Sequence, residues 1–213
     1  MKDIVIIGTG GLACEIKYLI DAINRHEPEW NILGYIENWS KQIGDEVVDG
    51  YKVIGTTDDF NKIENEIFAV IAVGFPDRIK EIVDLLHNPN AKYPNLIHPS
   101  VCMDGRDTVT IGMGNIICFA SGISCRVTIG DFNFFNSRFT IGHDAQVGSC
   151  NVFNPNTQIS GSVTIGNENF FGMNSAVIQG KKVGNNNKIG AYSFVIRNVK
   201  DHESLFGIPA IKQ

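Results

Sequence analysis

From residue 111 to residue 195, an apolar side chain returns at every sixth position: Ile111, Ile117, Ile123, Ile129, Phe135, Ile141, Val147, Phe153, Ile159, Ile165, Phe171, Val177, Val183, Ile189 and Val195. A second period of eighteen is marked by Ile111-Gly112, Ile129-Gly130, Val147-Gly148, Ile165-Gly166 and Val183-Gly184, so three hexapeptides make one unit. A unit of three short β-type segments, each followed by a turn, closes into a triangular coil, and stacked coils bury the apolar edge each leaves open. The pattern predicts a parallel β-helix. Residues eighteen apart then lie one above another, about 4.8 Å apart. Asn115, Asn133, Asn151, Asn169 and Asn187 recur at that interval, each two before an apolar site. Either a stacked amide ladder on the inner side of the strands or left-handed turn conformations account for them.

The first half has a different rhythm. "IVIIGTGGLACEIKYLIDAI" reads as an apolar strand, a glycine-rich turn and an amphipathic helix, with Gly8, Gly10 and Ala13 fitting G-x-G-x-x-G/A. Such a turn brings backbone N–H groups and a helix N-terminus to a pyrophosphate, although a tight strand-to-helix turn without a ligand uses the same residues. A second strand, "NILGYIEN", carries Glu37 at its end, where an acidic residue meets a ribose; "FAVIAVG" is a third, ending at Gly74, before the helix "PDRIKEIVDLLH". Only residues 1–95 precede the coils, which is nearer to one mononucleotide half than to a complete dinucleotide fold and favours a nucleoside diphosphate over NAD. The expected fold class is therefore an α/β Rossmann-like nucleotide-binding domain, residues 1–95, followed by an all-β parallel β-helix of hexapeptide repeats, residues 96–213.

Composition narrows the partners. With 213 residues, 43% of them hydrophobic, the chain can bury a core; its net charge of −5 without a Lys/Arg cluster argues against nucleic-acid and membrane-surface roles. The opening apolar run is too short for a membrane span, so a cytoplasmic protein with small-molecule ligands is expected. Cys14, Cys102, Cys118, Cys125 and Cys150 show no CxxC pairing and read as reduced, mostly buried thiols.

Within the repeats, His143-Asp144 is the one titratable pair containing a histidine. It follows the inward Ile141, where the strand turns a corner; the same corner holds Cys125-Arg126 one coil back and Gly161-Ser162 one coil on. Histidine titrates near neutral pH, and a carboxylate in reach favours the imidazolium, so the pair suits a general base, though a polar turn also accounts for it. Adjacent strand residues point opposite ways, and only an irregular corner lets the two converge. The Gly161 N–H, one coil above, is the candidate oxyanion donor for an acyl transfer. His98 in "LIHPS" reads as a capping or packing residue. A zinc enzyme with three histidines across a β-helix interface is disfavoured because the coils contain only His143, and no metal is expected.

Taken together, "VIIGTGGLACEI", "YIEN", "AVGFPDRIKEI", "NLIHPSV", the hexapeptides, "IGHDAQVG", "FFGMNSAVI" and "GIPAIK" resemble bacterial nucleotide-sugar acetyltransferases of the sialic-acid O-acetyltransferase type, including those that N-acetylate UDP- or dTDP-4-amino-4,6-dideoxy sugars. The resemblance implies a left-handed β-helix, a homotrimer and acetyl-CoA in the groove between neighbouring β-helices. It assigns His143 as general base and Asp144 as its acidic partner. It puts Gly10, Gly11 and Leu12 at the nucleotide diphosphate, Glu37 and Asn38 near the base and ribose, Gly74 at the mouth of the next strand, and Met173, Gly190 and Ala191 with Gly161 along CoA. Two positions depart from the family: Leu12 and Val152 stand where histidines are frequent, the second beside CoA. "GIPAIK" resembles a segment that folds over the cofactor, with Lys212 a candidate phosphate contact. Acetylation of a sialic acid or other sugar hydroxyl is the alternative within this chemistry, and a non-catalytic sugar-nucleotide-binding scaffold the alternative outside it.

Overall fold

The computed structural model describes residues 1–213. The first part alternates strand and helix: β1 Lys2–Ile7, α1 Gly11–His26, β2 Trp30–Ile36, β3 Glu46–Val48, β4 Tyr51–Gly55, α2 Thr57–Asn61, β5 Ile67–Ile71, α3 Pro76–Leu85 and β6 Ala91–Lys92. The sheet runs β3-β4-β2-β1-β5-β6 and is parallel except for the β3–β4 hairpin. Ile4 to Ile7 are buried without alternation, as a parallel strand covered on both faces requires. From β1 the chain builds outward through β2 and β4, then crosses back to place β5 on the other side of β1. That reversal opens a crevice at the carboxyl ends of β1 and β5, where ligands of open α/β sheets bind.

From Leu96 on, two- and three-residue strands form three parallel faces of a prism. The first face stacks Leu96–Ile97, Ile116–Ile117, Phe134–Phe135, Val152–Phe153, Phe170–Phe171, Lys188–Ile189 and Ser204–Phe206. The second runs from Gly122–Ile123 through Thr140–Ile141, Gln158–Ile159 and Ala176–Val177 to Phe194–Val195, and the third from Thr110–Ile111 to Lys182–Val183. The registry is the expected one, with Ile141 paired to Ile159 and Val147 to Ile165. All the sixth-position residues from Ile117 to Val195 are buried; Ile111, at the open bottom, is partly so. Inside, Phe135, Phe153 and Phe171 stack with centroids 5.0 and 4.8 Å apart.

The asparagines form the amide ladder: Asn151 Nδ2 and backbone N donate to Asn133 Oδ1 at 3.0 and 2.9 Å, and Asn169 repeats this on Asn151. None of the five has positive φ. The left-handed backbone sits instead one residue earlier and at every other corner, at Ala120, Arg126, Phe132, Arg138, Asp144, Cys150, Asn156, Ser162, Glu168 and Asn174, with φ between 53° and 61°. The glycines of period eighteen answer a different need. A β-carbon at Gly166 would lie 2.5 Å from Asn185 Oδ1, the atom that accepts the Asn167 N–H at 2.8 Å.

The α/β part packs on the first face. Ile116, Phe134 and Val152 point outward from it and share one hydrophobic cluster with Ile16, Leu19 and Ile20 of α1. Val152 is fully buried there, under the α/β part. A correction concerns the thiols. All five cysteines are free, but only Cys150 is buried; burial pushes Cys118 up to about 12 and Cys150 up to about 11. No helix is long and apolar enough to cross a membrane.

Candidate active site

His143 and Asp144 occupy the edge between the second and third faces, opposite the face that carries the α/β domain. Asp144 has φ +60°, and this kink turns both side chains to one side: His143 Nδ1 and Asp144 Oδ2 are 2.7 Å apart. Both remain accessible, the imidazole 49% and the carboxylate 40%. Asp144 is also gripped from the coil below, where Arg126 Nε and Nη2 donate to Oδ1 and Oδ2 at 2.6 and 3.0 Å. The guanidinium first, and the imidazole second, hold the Asp144 carboxyl well below the usual carboxylate range. Since Nδ1 is engaged, Nε2 is the ring nitrogen left to exchange a proton with a ligand.

Above the ring lies Gly161. A β-carbon there would be 2.7 Å from His143 Nε2 and 2.8 Å from Cε1. Its backbone is not in the left-handed region, so alanine meets no torsional obstacle and the imidazole itself must give way. The Gly161 N–H has no hydrogen-bond acceptor in the chain, and its carbonyl accepts from Gly180 N. Gly161→Ala is expected to lower turnover by about 10²-fold through ångström-scale misplacement of the ring, with an unchanged melting temperature. Steady-state rates beside a thermal melt decide this.

The second candidate region is a cleft of about 380 Å³ lined by Gly8 to Leu12, Glu37, Trp39, Ser40, Ala72 to Phe75 and Arg78. It sits at the β1/β5 crossing, with the N-terminus of α1 opening into it through Gly10 and Gly11. Glu37 is only 6% exposed. Its carboxylate accepts from Thr9 Oγ1, from Asn38 N and Trp39 N at 2.8 and 2.7 Å, and from Ser40 Oγ at 3.2 Å. The acid expected to meet a ribose thus ties the glycine loop to the end of β2. Burial opposes its ionisation, but these donors outweigh that and hold its carboxyl below the ordinary value. A carboxyl so depressed stabilises the fold fully above the unfolded value of about 4.3, and the contribution fades as pH falls through the folded one. Glu37→Gln is expected to cost about 1.5–3 kcal/mol near neutrality and to converge with wild type in acid, as melts across pH will show.

Of the remaining expected residues, Gly10, Gly11, Leu12 and Gly74 line the cleft, while Asn38 does not. Its amide accepts from Thr57 N and donates to Thr57 Oγ1, at 2.9 and 2.8 Å, holding the start of α2. Met173 stacks beneath Ala191, beside Gly190, on the edge between the first and second faces. Within one chain this edge is separated from His143 by the whole second face. Lys212 pairs with Glu203 at 3.2 Å, on the hairpin that closes the top of the prism. His98 Nδ1 is 2.8 Å from Ser100 Oγ and its ring lies edge-on to Phe119, as a packing residue does.

Residues 3–86 match the family described as the PglD N-terminal domain. Over the full chain the fold is similar to the acetyltransferase domain of PglB from Neisseria gonorrhoeae FA1090, in complex with acetyl coenzyme A (TM-score 0.87, 23% identity, covering 100% of this chain and 99% of that one). It is similar to PerB from Caulobacter crescentus, in complex with CoA and GDP-perosamine (TM-score 0.86, 25% identity, 100% and 98% covered). WeeI from Acinetobacter baumannii AYE is a third such structure (TM-score 0.86, 19% identity, 100% of each chain). No curated protein matches the sequence. Over its full length the chain shares the fold of these acetyltransferases.

Three further features of the site stand out in the structure. Trp39 follows β2 and faces the cleft 52% exposed, with the Arg78 guanidinium 5.7 Å from its ring centre. Phe75, beside Gly74, stacks on Phe170 of the prism at 6.2 Å. Arg126 was visible one coil below the dyad, but only its bidentate geometry marks it as a partner of Asp144.

Proposed function

We propose that the protein transfers acetyl from acetyl-CoA to the amino group of a nucleotide-linked 4-amino-4,6-dideoxy sugar. The observation that carries this reading is the His143–Asp144 pair set beneath the side-chain-free Gly161 on an open edge of the prism. In the proposed step His143 Nε2 removes a proton from the acceptor nitrogen as it attacks the thioester carbonyl. The C–N bond forms, Gly161 N–H takes the developing oxyanion, the C–S bond breaks, and the imidazolium returns its proton to the departing thiolate. Nothing is bound covalently to the enzyme.

The nucleotide lies in the β1/β5 cleft, its diphosphate at the α1 N-terminus with Gly10, Gly11 and Leu12, and its base against Trp39. The GDP-perosamine held by PerB supports a nucleotide sugar there and adds guanine to the uracil and thymine that the sequence suggested. Placement of the α/β domain on the face opposite His143 supports a site completed by a neighbouring chain, hence a trimer with acetyl-CoA between prisms. Exposed Met173, Ile178, Tyr192 and Ile196 supply the apolar surface for that contact. Gly161, Met173, Gly190 and Ala191 are then brought to one groove from two subunits.

The decisive assay mixes the protein with acetyl-CoA and a panel of GDP-, UDP- and dTDP-linked 4-amino sugars, following thiol release. Release with none of them, while a sialic acid is acetylated, favours the O-acetyl reading; nucleotide-sugar binding without any release leaves a scaffold.

A further inference from the structure

We propose that Arg126 is a positioning residue for the dyad: its guanidinium fixes the plane of the Asp144 carboxylate and shares its charge, so that His143 keeps one orientation beneath Gly161. This rests on the reading of His143 as the base.

The geometry is specific. The eighteen-residue registry sets Arg126 directly under Asp144, both at left-handed corners with φ +54° and +60°. The Arg126 N–H is anchored on Thr108 Oγ1 at 2.8 Å, so the backbone from which the side chain rises is itself tied to the coil below. Two guanidinium nitrogens then meet two carboxylate oxygens, the planar fork that lysine cannot reproduce. Asp144 Oδ2 is shared between this fork and His143 Nδ1. With only one of its oxygens facing the ring, an unforked carboxylate at this exposed corner would be free to turn into solvent and release the imidazole.

Stability does not explain the pair. Arg126 is 60% exposed and Asp144 40%, and ion pairs so open contribute little to folding. The titratable and charged groups facing His143 are also few: Asp144 beside it, Arg126 and Cys125 on the coil below, and none at the Gly161–Ser162 corner above. Removing the guanidinium frees the carboxylate to turn away, so the imidazole loses the partner that holds its orientation while the acetyl-CoA contacts are untouched.

The test compares Arg126→Met and Arg126→Lys with wild type in kcat and in KM for acetyl-CoA, using the acceptor that releases thiol fastest in the panel above. Arg126→Met is expected to lose up to about 10²-fold in kcat, with KM for acetyl-CoA nearly unchanged. Arg126→Lys restores the charge but not the fork, so its kcat also stays low. Equal melting temperatures exclude a folding defect; should Arg126→Met fail to fold, the Lys variant alone tests the fork. Wild-type kcat in these variants, beside an inactive His143→Ala, overturns the role of Arg126 and leaves the base intact. Wild-type turnover in His143→Ala overturns both.

Discussion

His143→Ala is expected to lower kcat by about 10²–10⁴-fold, the range lost with a general base. The edge offers no substitute. Asp144 is committed to Arg126, which holds its carboxyl low and makes it a poor proton acceptor at neutral pH. Cys125 belongs to the coil below and Gly161 to the coil above. Because the imidazole is half exposed and belongs to neither the phenylalanine column nor the amide ladder, its removal leaves no cavity, and the melting temperature should stay at the wild-type value. Thiol release at saturating acetyl-CoA and acceptor measures the loss, and a variant that turns over as fast as wild type would remove the proposed mechanism.

Phe153→Ala is expected to destabilise the β-helix by about 3–5 kcal/mol, read as a lower urea midpoint. Phe153 has no exposed surface, stacks between Phe135 and Phe171 at 5.0 and 4.8 Å, and leans on Phe139 at 5.0 Å. Backbone hydrogen bonds tie the short strands above and below into rigid ladders, so the prism cannot collapse to fill the gap. Three aromatic contacts are lost together, each worth about 0.5–1.5 kcal/mol beyond buried area. The same coils carry His143 and Gly161 on their far edge, so activity should fall before global unfolding as denaturant is raised. A midpoint equal to wild type would show that the column is dispensable.

Strict periodicity is what made the prism readable from sequence. A triangular coil has only one place for a residue at each step of six, so Ile141 and Ile159 had to pair and Gly161 had to lie over His143. Where the count breaks, the reading stops. Leu96–Ile97 already joins the first face, but the loop up to Thr110 hides it; at the top, Ser204 pairs with Lys188 after a shorter coil. The α/β half was legible as strands and helices because β1 and β5 are unbroken apolar runs. Side-chain destinations there were not. Glu37 and Asn38 sit at the expected strand end, yet hydrogen bonds to Thr9, Ser40 and Thr57 decide which way they turn, and no local pattern encodes such partners. The cover over Val152 was hidden for a related reason, since outward positions on a solenoid face carry no sign of what will cover them.

The hairpin at the top of the first face has one more effect. Stacked parallel strands present unpaired N–H and C=O groups at each end, and such an end is a template for further chains. Ile211–Lys212 lies antiparallel on Ser204–Phe206, so the final rung reverses the polarity that an added copy would have to continue. On this face, unlike the other two, a copy stacked in parallel registry would meet a strand running the wrong way.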